Sequence, residues 1–195
     1  MKIKICGLFR EQDVKYVNQA MPDYIGFVFA KSKRQITIDQ AYHFKKMLNP
    51  HILTVGVFVD APISEIKTVV QLGIIDIVQL HGQEDQKYIS QLKHQVHLPL
   101  IKAMTVEDIY SEYEDIDYYL FDSSNAGSGR CFDWTLIPQI RKPFFLAGGI
   151  RLSNIDEAIK LDCYGIDISS GVETHGYKDQ EKINEIVWRV KNGNR

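Results

Sequence analysis

The chain has 195 residues, 45% of them hydrophobic, and a formal net charge of −2: enough apolar material for a core, and too little charge to attract nucleic acid in general. Any anionic ligand must therefore be held at a local site. Three scattered cysteines, an uncharged-run length well short of a membrane span and a start, "MKIKIC", too short and charged for a signal peptide point to reduced thiols in a cytoplasmic protein, without a disulfide scaffold, a CxxC zinc site or a membrane partner.

In chain order, the first predicted strand is "IKIC", ending in Cys6 with Gly7 directly behind it. A thiol where a strand stops and the backbone must turn is an odd place for a buried structural cysteine. "YIGFVF" follows, then "TIDQAYHFKKML", whose Ala41, Phe44, Met47 and Leu48 share a helix face behind Thr37 as N-cap. After "LTVGVFV" comes "SEIKTVVQLG", with Ile66, Val69 and Val70 aligned, Ser64 as start and Gly73 as stop. "IDIVQL" and "PLIKA" are strands; the acidic "TVEDIYSEYEDI" is a weakly patterned helix. "YYLFD" and "FFLA" lead to a helix in "SNIDEAIKL", then the strand "GIDIS" and a closing helix in "KDQEKINEIVWRVK". Most strands are continuously apolar, as parallel strands covered on both faces should be.

Eight strands alternating with helices fit either a closed (β/α)8 barrel or an open doubly wound sheet. A length of 195 favours the open sheet, because barrels run to roughly 250 residues. The residues at the strand ends favour the barrel: Cys6, Arg34, Asp60, His81, Lys102, Asp122, Gly148-Gly149 and Ser169-Ser170-Gly171. A barrel brings such ends to one rim, whereas an open sheet spreads them along an edge. The expected architecture is a single compact (β/α)8 TIM barrel over residues 1–195. Near its end, "LAGGI" before a helix and "DISSGVETHG" offer glycines that let backbone N–H groups approach an anion, with a helix start adding positive charge. Loops after strands seven and eight are where such barrels often bind phosphate.

"KICG" at 4–7, "SKR" at 32–34, "VGVFV" at 55–59, "VQLHG" at 78–82, "FDSSNAGSGRCFDW" at 121–134, "LAGGI" at 146–150 and "GIDISSGVETHGYKD" at 165–179 stand in one order. Together they resemble the phosphoribosylanthranilate isomerase family of tryptophan biosynthesis, a family of (β/α)8 enzymes. The resemblance implies an Amadori rearrangement of a phosphorylated ribosylamine, by proton transfers needing no cofactor and no metal. It implies Cys6 as general base and Asp122 as general acid. The base needs positive charge nearby to lower a thiol pKa of about 8.5, and the acid needs a raised one. Lys4 fails as that charge if it shares the face of Ile3 and Ile5. Arg34 is expected to hold the anthranilate carboxylate, His81 and Asp167 to contact substrate or brace the site, and Gly148, Gly149, Ser169, Ser170 and Gly171 to bind phosphate. Gly127 and Gly129 suggest a closing loop. Lys31 and Lys33 read as solvated charges, Cys131 and Cys163 as inert, and Trp134 and Trp188 as helix packing.

Three departures from the family pattern touch loops: Lys33 where proline is frequent, Phe9 where threonine is expected, and a loop "VETHGYKD" about one residue short and without its usual proline. Two other readings stay open. A related isomerase of the histidine pathway would carry an aspartate in place of Cys6, and a silent phosphate-binding barrel would bind without turnover. The partner expected is a small phosphorylated molecule, with the chain a monomer or homodimer.

Overall fold

The computed structural model describes residues 1–106, 113–123 and 132–193. Eight parallel strands close on themselves: β1 (Lys2–Cys6), β2 (Tyr24–Val28), β3 (Leu53–Phe58), β4 (Ile77–Leu80), β5 (Leu100–Met104), β6 (Tyr118–Phe121), β7 (Phe144–Leu146) and β8 (Gly165–Ile168). Closure is made by β1, which pairs with β2 on one side and β8 on the other; Lys4 lies opposite both Tyr24 and Asp167. The compact barrel anticipated from the strand ends is the fold, despite the short chain.

The strands look continuously apolar because each faces two environments. Outward residues such as Ile3, Ile5, Ile25, Phe27, Val78, Leu80 and Ile166 pack under the helices in one large buried cluster. Inward residues fill the bottom of the barrel with a second cluster of Tyr24, Val55, Ile77, Ile101, Ala103, Leu120, Phe145 and Ala147. Above that plug the interior turns polar. Lys4, Gln79 and Asp167 are buried there, each two residues before a rim position, because strand side chains alternate with period two.

The helices are α1 (Glu11–Ala20), α2 (Ile38–Met47), α3 (Ile63–Gln71), α4 (Gln86–Gln95), α5 (Ile155–Ala158) and α6 (Gln180–Asn192). Thr37 caps α2 as expected, accepting from the Gln40 N–H at 3.2 Å while the Gln40 side chain returns to the Thr37 N–H. α3 starts one residue earlier than Ser64, behind Pro62, because proline is suited to a helix entrance; Gly73 ends it at φ +67°. Of the helix read in "TVEDIYSEYEDI", residues 107–112 lie outside the described residues, and Thr105, Val106 and 113–116 are not helical. Trp134 packs against the large buried cluster from a short 3-10 turn, whereas Trp188 is 62% exposed on α6 rather than packed as expected. No helix among the described residues is long and apolar enough to cross a membrane.

Candidate active site

At the C-terminal mouth of the barrel a cavity is lined by Cys6, Arg34, His81, Asp122, Asp167, Gly148, Gly149, Ser169 and Ser170, together with Val28, Val57 and the buried Gln79. Every proposed site residue but Gly171 therefore faces one space. Gly171 stands behind it: a Cβ there would lie 1.8 Å from the Ile150 carbonyl oxygen, so glycine lets the loop after β8 lie against the loop after β7. Of the other strand ends, Asp60 and Lys102 are not in the lining. Lys102 points outward, where its ammonium bonds the Gly82 carbonyl at 2.7 Å and Glu84 at 2.8 Å; both are buried and brace the turn that follows His81. Gly127, Gly129 and Cys131 lie outside the described residues.

Cys6 is buried at the end of β1, in room made by its neighbour: a Cβ on Gly26 would come within 2.6 Å of Sγ. Burial pushes the thiol pKa up, while the ammonium groups of Lys4 and Lys178 pull it down and Asp167 adds to the rise. Burial wins, so the resting group is the neutral thiol, against the lowered value expected from the sequence. The missing perturber is nevertheless present. Lys4 does not share the outward face of Ile3 and Ile5; it lies on the inward face two residues below Cys6, and its side chain is entirely enclosed. Burial opposes its charge, but Asp167 and Cys6 together outweigh that and hold the ammonium above the ordinary lysine range. Its Nζ donates to Asp167 Oδ2 and to Gln79 Oε1, each at 2.8 Å.

Asp167 spends one oxygen on that bond. Its other oxygen, Oδ1, is buried and without a hydrogen-bond partner among the described residues, on a residue that lines the cavity. A buried carboxylate oxygen left open is costly unless something supplies a donor, so this atom is a ready acceptor for a ligand hydroxyl or amine. Across the cavity, Asp122 accepts from the Ser123 N–H at 2.8 Å through Oδ1, and its Oδ2 lies 3.5 Å from His81 Nε2. Gly148, at φ +82°, makes space for this carboxyl: a Cβ there would be 3.0 Å from Oδ1 and 2.9 Å from the Ser123 nitrogen.

Arg34 is already engaged. Its Nε and Nη2 grip Glu173 at 2.6 and 2.7 Å, a bidentate pair, and Lys178 reaches the same carboxylate at 2.8 Å. Burial raises the Glu173 pKa, but Arg34 and Lys178 outweigh it and hold the group below the usual range. A ligand carboxylate would meet the remaining Nη1 edge of the guanidinium, rather than the whole fork. Lys178, fully buried, also donates to the Ser169 carbonyl at 2.9 Å and so ties the phosphate-loop candidate to the Arg34 pair. α5 is a single turn that begins at Ile155, beyond residues 151–154, so the helix dipole expected behind Gly148-Gly149 is small. Anion binding there would rest on backbone N–H groups of the two loops.

Lys4, Gln79, Glu173 and Lys178 were missed from sequence. The available signal was parity: Lys4 precedes Cys6, and Gln79 precedes His81, by two residues on the same strand face.

The sequence model for N-(5'-phosphoribosyl)anthranilate (PRA) isomerase matches residues 3–189. The chain belongs to that family. A curated N-(5'-phosphoribosyl)anthranilate isomerase from Endomicrobium trichonymphae is 50% identical over 192 residues, covering 95% of this chain and 96% of the relative. Among solved structures, phosphoribosyl anthranilate isomerase from Thermus thermophilus superposes with a TM-score of 0.88 at 29% identity, with 100% of both chains covered. A phosphoribosyl anthranilate isomerase in complex with reduced 1-(o-carboxyphenylamino)-1-deoxyribulose 5-phosphate gives a TM-score of 0.82 at 29% identity over 98% of each chain. The family's membership therefore spans the whole barrel, including the mouth just described.

Proposed function

We propose that this PRA isomerase family member performs the Amadori rearrangement of N-(5'-phosphoribosyl)anthranilate with Cys6 as base and Asp122 as acid. Asp122 gives its proton to the furanose oxygen; the bond from that oxygen to the anomeric carbon breaks as the nitrogen lone pair forms an iminium. Cys6, as the thiolate formed once its own proton has left to solvent, then takes the proton from the neighbouring sugar carbon. That C–H electron pair forms the carbon–carbon double bond of an enolamine as the iminium π pair returns to nitrogen. A proton returned to the former anomeric carbon and loss of the enol hydroxyl proton leave the ketone. The two reacting carbons exchange oxidation levels, so no outside oxidant or reductant enters.

The observation that carries this reading is the shared cavity: a buried thiol on β1 and a carboxyl after β6 face one space that also holds Arg34 and two glycine-bearing loops. In the resting protein the thiol is neutral; the Lys4 and Lys178 ammonium groups supply the charge that would stabilise thiolate as the base forms. Asp167 Oδ1 accepts from the sugar or the bridging amine, and Arg34 offers its Nη1 edge to the anthranilate carboxylate. The phosphate sits at the N–H groups of Gly148, Gly149, Ser169 and Ser170. The substrate is a small phosphorylated molecule, and the chain works as a monomer or homodimer in the cytoplasm.

The test is a fluorescence assay of N-(5'-phosphoribosyl)anthranilate consumption by the purified protein. Wild type should turn over; Cys6→Ala and Asp122→Ala should each stay folded and lose kcat by roughly 10²–10⁴-fold, the usual worth of a general base or acid. Near-normal kcat in either variant would remove that residue from its role.

A further inference from the structure

Along the floor of the cavity a row of inward side chains crosses the barrel from the β8 side to the β6 side. It begins at Asp167, passes to the enclosed Lys4 ammonium, then to the buried Gln79, then to His81 and Asp122. Each link fixes the next. An ammonium only donates, so the atom 2.8 Å from Lys4 Nζ must be the amide oxygen of Gln79. The NH2 end then faces the other way and lies 3.0 Å from His81 Nδ1. An amide NH2 also only donates, so Nδ1 must present its lone pair. In the neutral imidazole the proton is thereby left on Nε2, the nitrogen that looks at Asp122 Oδ2 across 3.5 Å.

We propose that Gln79 is a positioning residue for the isomerisation: oriented by Lys4, its amide holds His81 in the Nε2–H tautomer, so that Asp122 always meets a donor and never an acceptor. The inference rests on the reading of Asp122 as the acid. With the opposite tautomer, the bare Nε2 would accept the Asp122 proton and turn it away from the furanose oxygen. With Nε2–H in place, the protonated carboxyl has no competing acceptor in His81. The carboxylate left after proton transfer finds an N–H facing it, as a group built to favour the product of that step should. Gln79 itself need not touch substrate for this.

The experiment is 15N NMR of the histidine ring nitrogens in the intact protein near neutral pH, with His81 assigned by its loss in His81→Asn. Wild type should show the neutral form of the His81 ring protonated at Nε2 only. Gln79→Met keeps length and bulk but removes the donor; part of the proton should move to Nδ1, and kcat should fall about tenfold to a hundredfold with KM within about threefold. A structural role alone would lower stability and leave the ring nitrogens as they were. The proposal is overturned if wild-type His81 is protonated at Nδ1, whatever becomes of the variant. It is equally overturned if folded Gln79→Met keeps the pure Nε2–H form. The ring measurement needs no turnover, so a protein without isomerase activity would defeat the functional reading while leaving this test in force.

Discussion

Cys6 occupies a hollow that one glycine leaves open. A Cβ on Gly26 would stand 2.6 Å from Cys6 Sγ and 3.1 Å from its Cα, so the neighbouring strand lacks a side chain where the thiol needs room. Gly26→Ala must therefore push the thiol or the strands apart. The expected cost is about 1–3 kcal/mol of stability, as for other over-packed interiors. Its kcat should also drop well below that of a surface Gly→Ala control, measurable by denaturant unfolding alongside steady-state kinetics. Unchanged stability and kcat would mean that the thiol does not depend on that hollow. The place of Cys6 at the barrel mouth was legible because a thiol stands beside a turn inside a family motif. Its surroundings were less so. A sequence shows that Lys4 alternates with Ile3 and Ile5, but not that a closed barrel encloses its charge, and so the positive group that faces the thiol was left unnamed.

At the scale of elements, the loop that departs most from the family pattern becomes a tight hairpin. β9 (Glu173–Thr174) pairs antiparallel with β10 (Tyr177–Lys178), and the two turn residues, His175 and Gly176, have φ of +53° and +82°. Positive φ at both positions is what a two-residue type I′ turn demands, which explains how the connection is shorter and does without proline. Phe9, another of the three departures, packs on the hairpin with its ring 6.0 Å from that of Tyr177, and the Arg10 guanidinium lies 4.5 Å above the same tyrosine ring. The hairpin matters because it carries Glu173 and Lys178, the partners of Arg34 and Ser169. Gly176→Val meets no atom within 4 Å, so its effect is conformational. It should destabilise by about 1–2 kcal/mol, the usual penalty of a left-handed β-branched residue, and raise KM as the Arg34 anchor loosens. A thermal melt and a substrate titration check both; an unaffected KM would detach the hairpin from substrate binding. Most strand and helix positions were readable from period, whereas the early start of α3 follows from Pro62, which periodicity does not see.

For the whole molecule, the barrel was inferable because reactive residues closed nearly every strand, although Asp60 and Lys102 do not line the cavity. Burial in the closed fold also sets its response to alkali. Burial of the phenol pushes Tyr88 from 10.0 up to about 12, and burial likewise pushes Cys163 from 9.0 to about 11. Both groups are favoured neutral by the fold. Their contribution to stability is therefore complete below the unfolded values, and it is lost as pH rises through the folded ones. The melting temperature should accordingly fall between about pH 9 and pH 12, with a shallower fall from 9 to 11 in Cys163→Ala. A melting curve that is flat across that window would contradict the assignment.

The central claim is spatial: a thiol and a carboxyl act on neighbouring atoms of one sugar from different walls of a barrel. Its most direct test is a crystal structure of this chain soaked with reduced 1-(o-carboxyphenylamino)-1-deoxyribulose 5-phosphate. The account predicts Cys6 Sγ within ~3.5 Å of the sugar carbon that loses its proton, the Asp122 carboxyl at the oxygen released by ring opening, and phosphate on the Gly148 and Ser169 loops. A ligand bound with Cys6 remote from that carbon, or with its phosphate at another part of the rim, would contradict it.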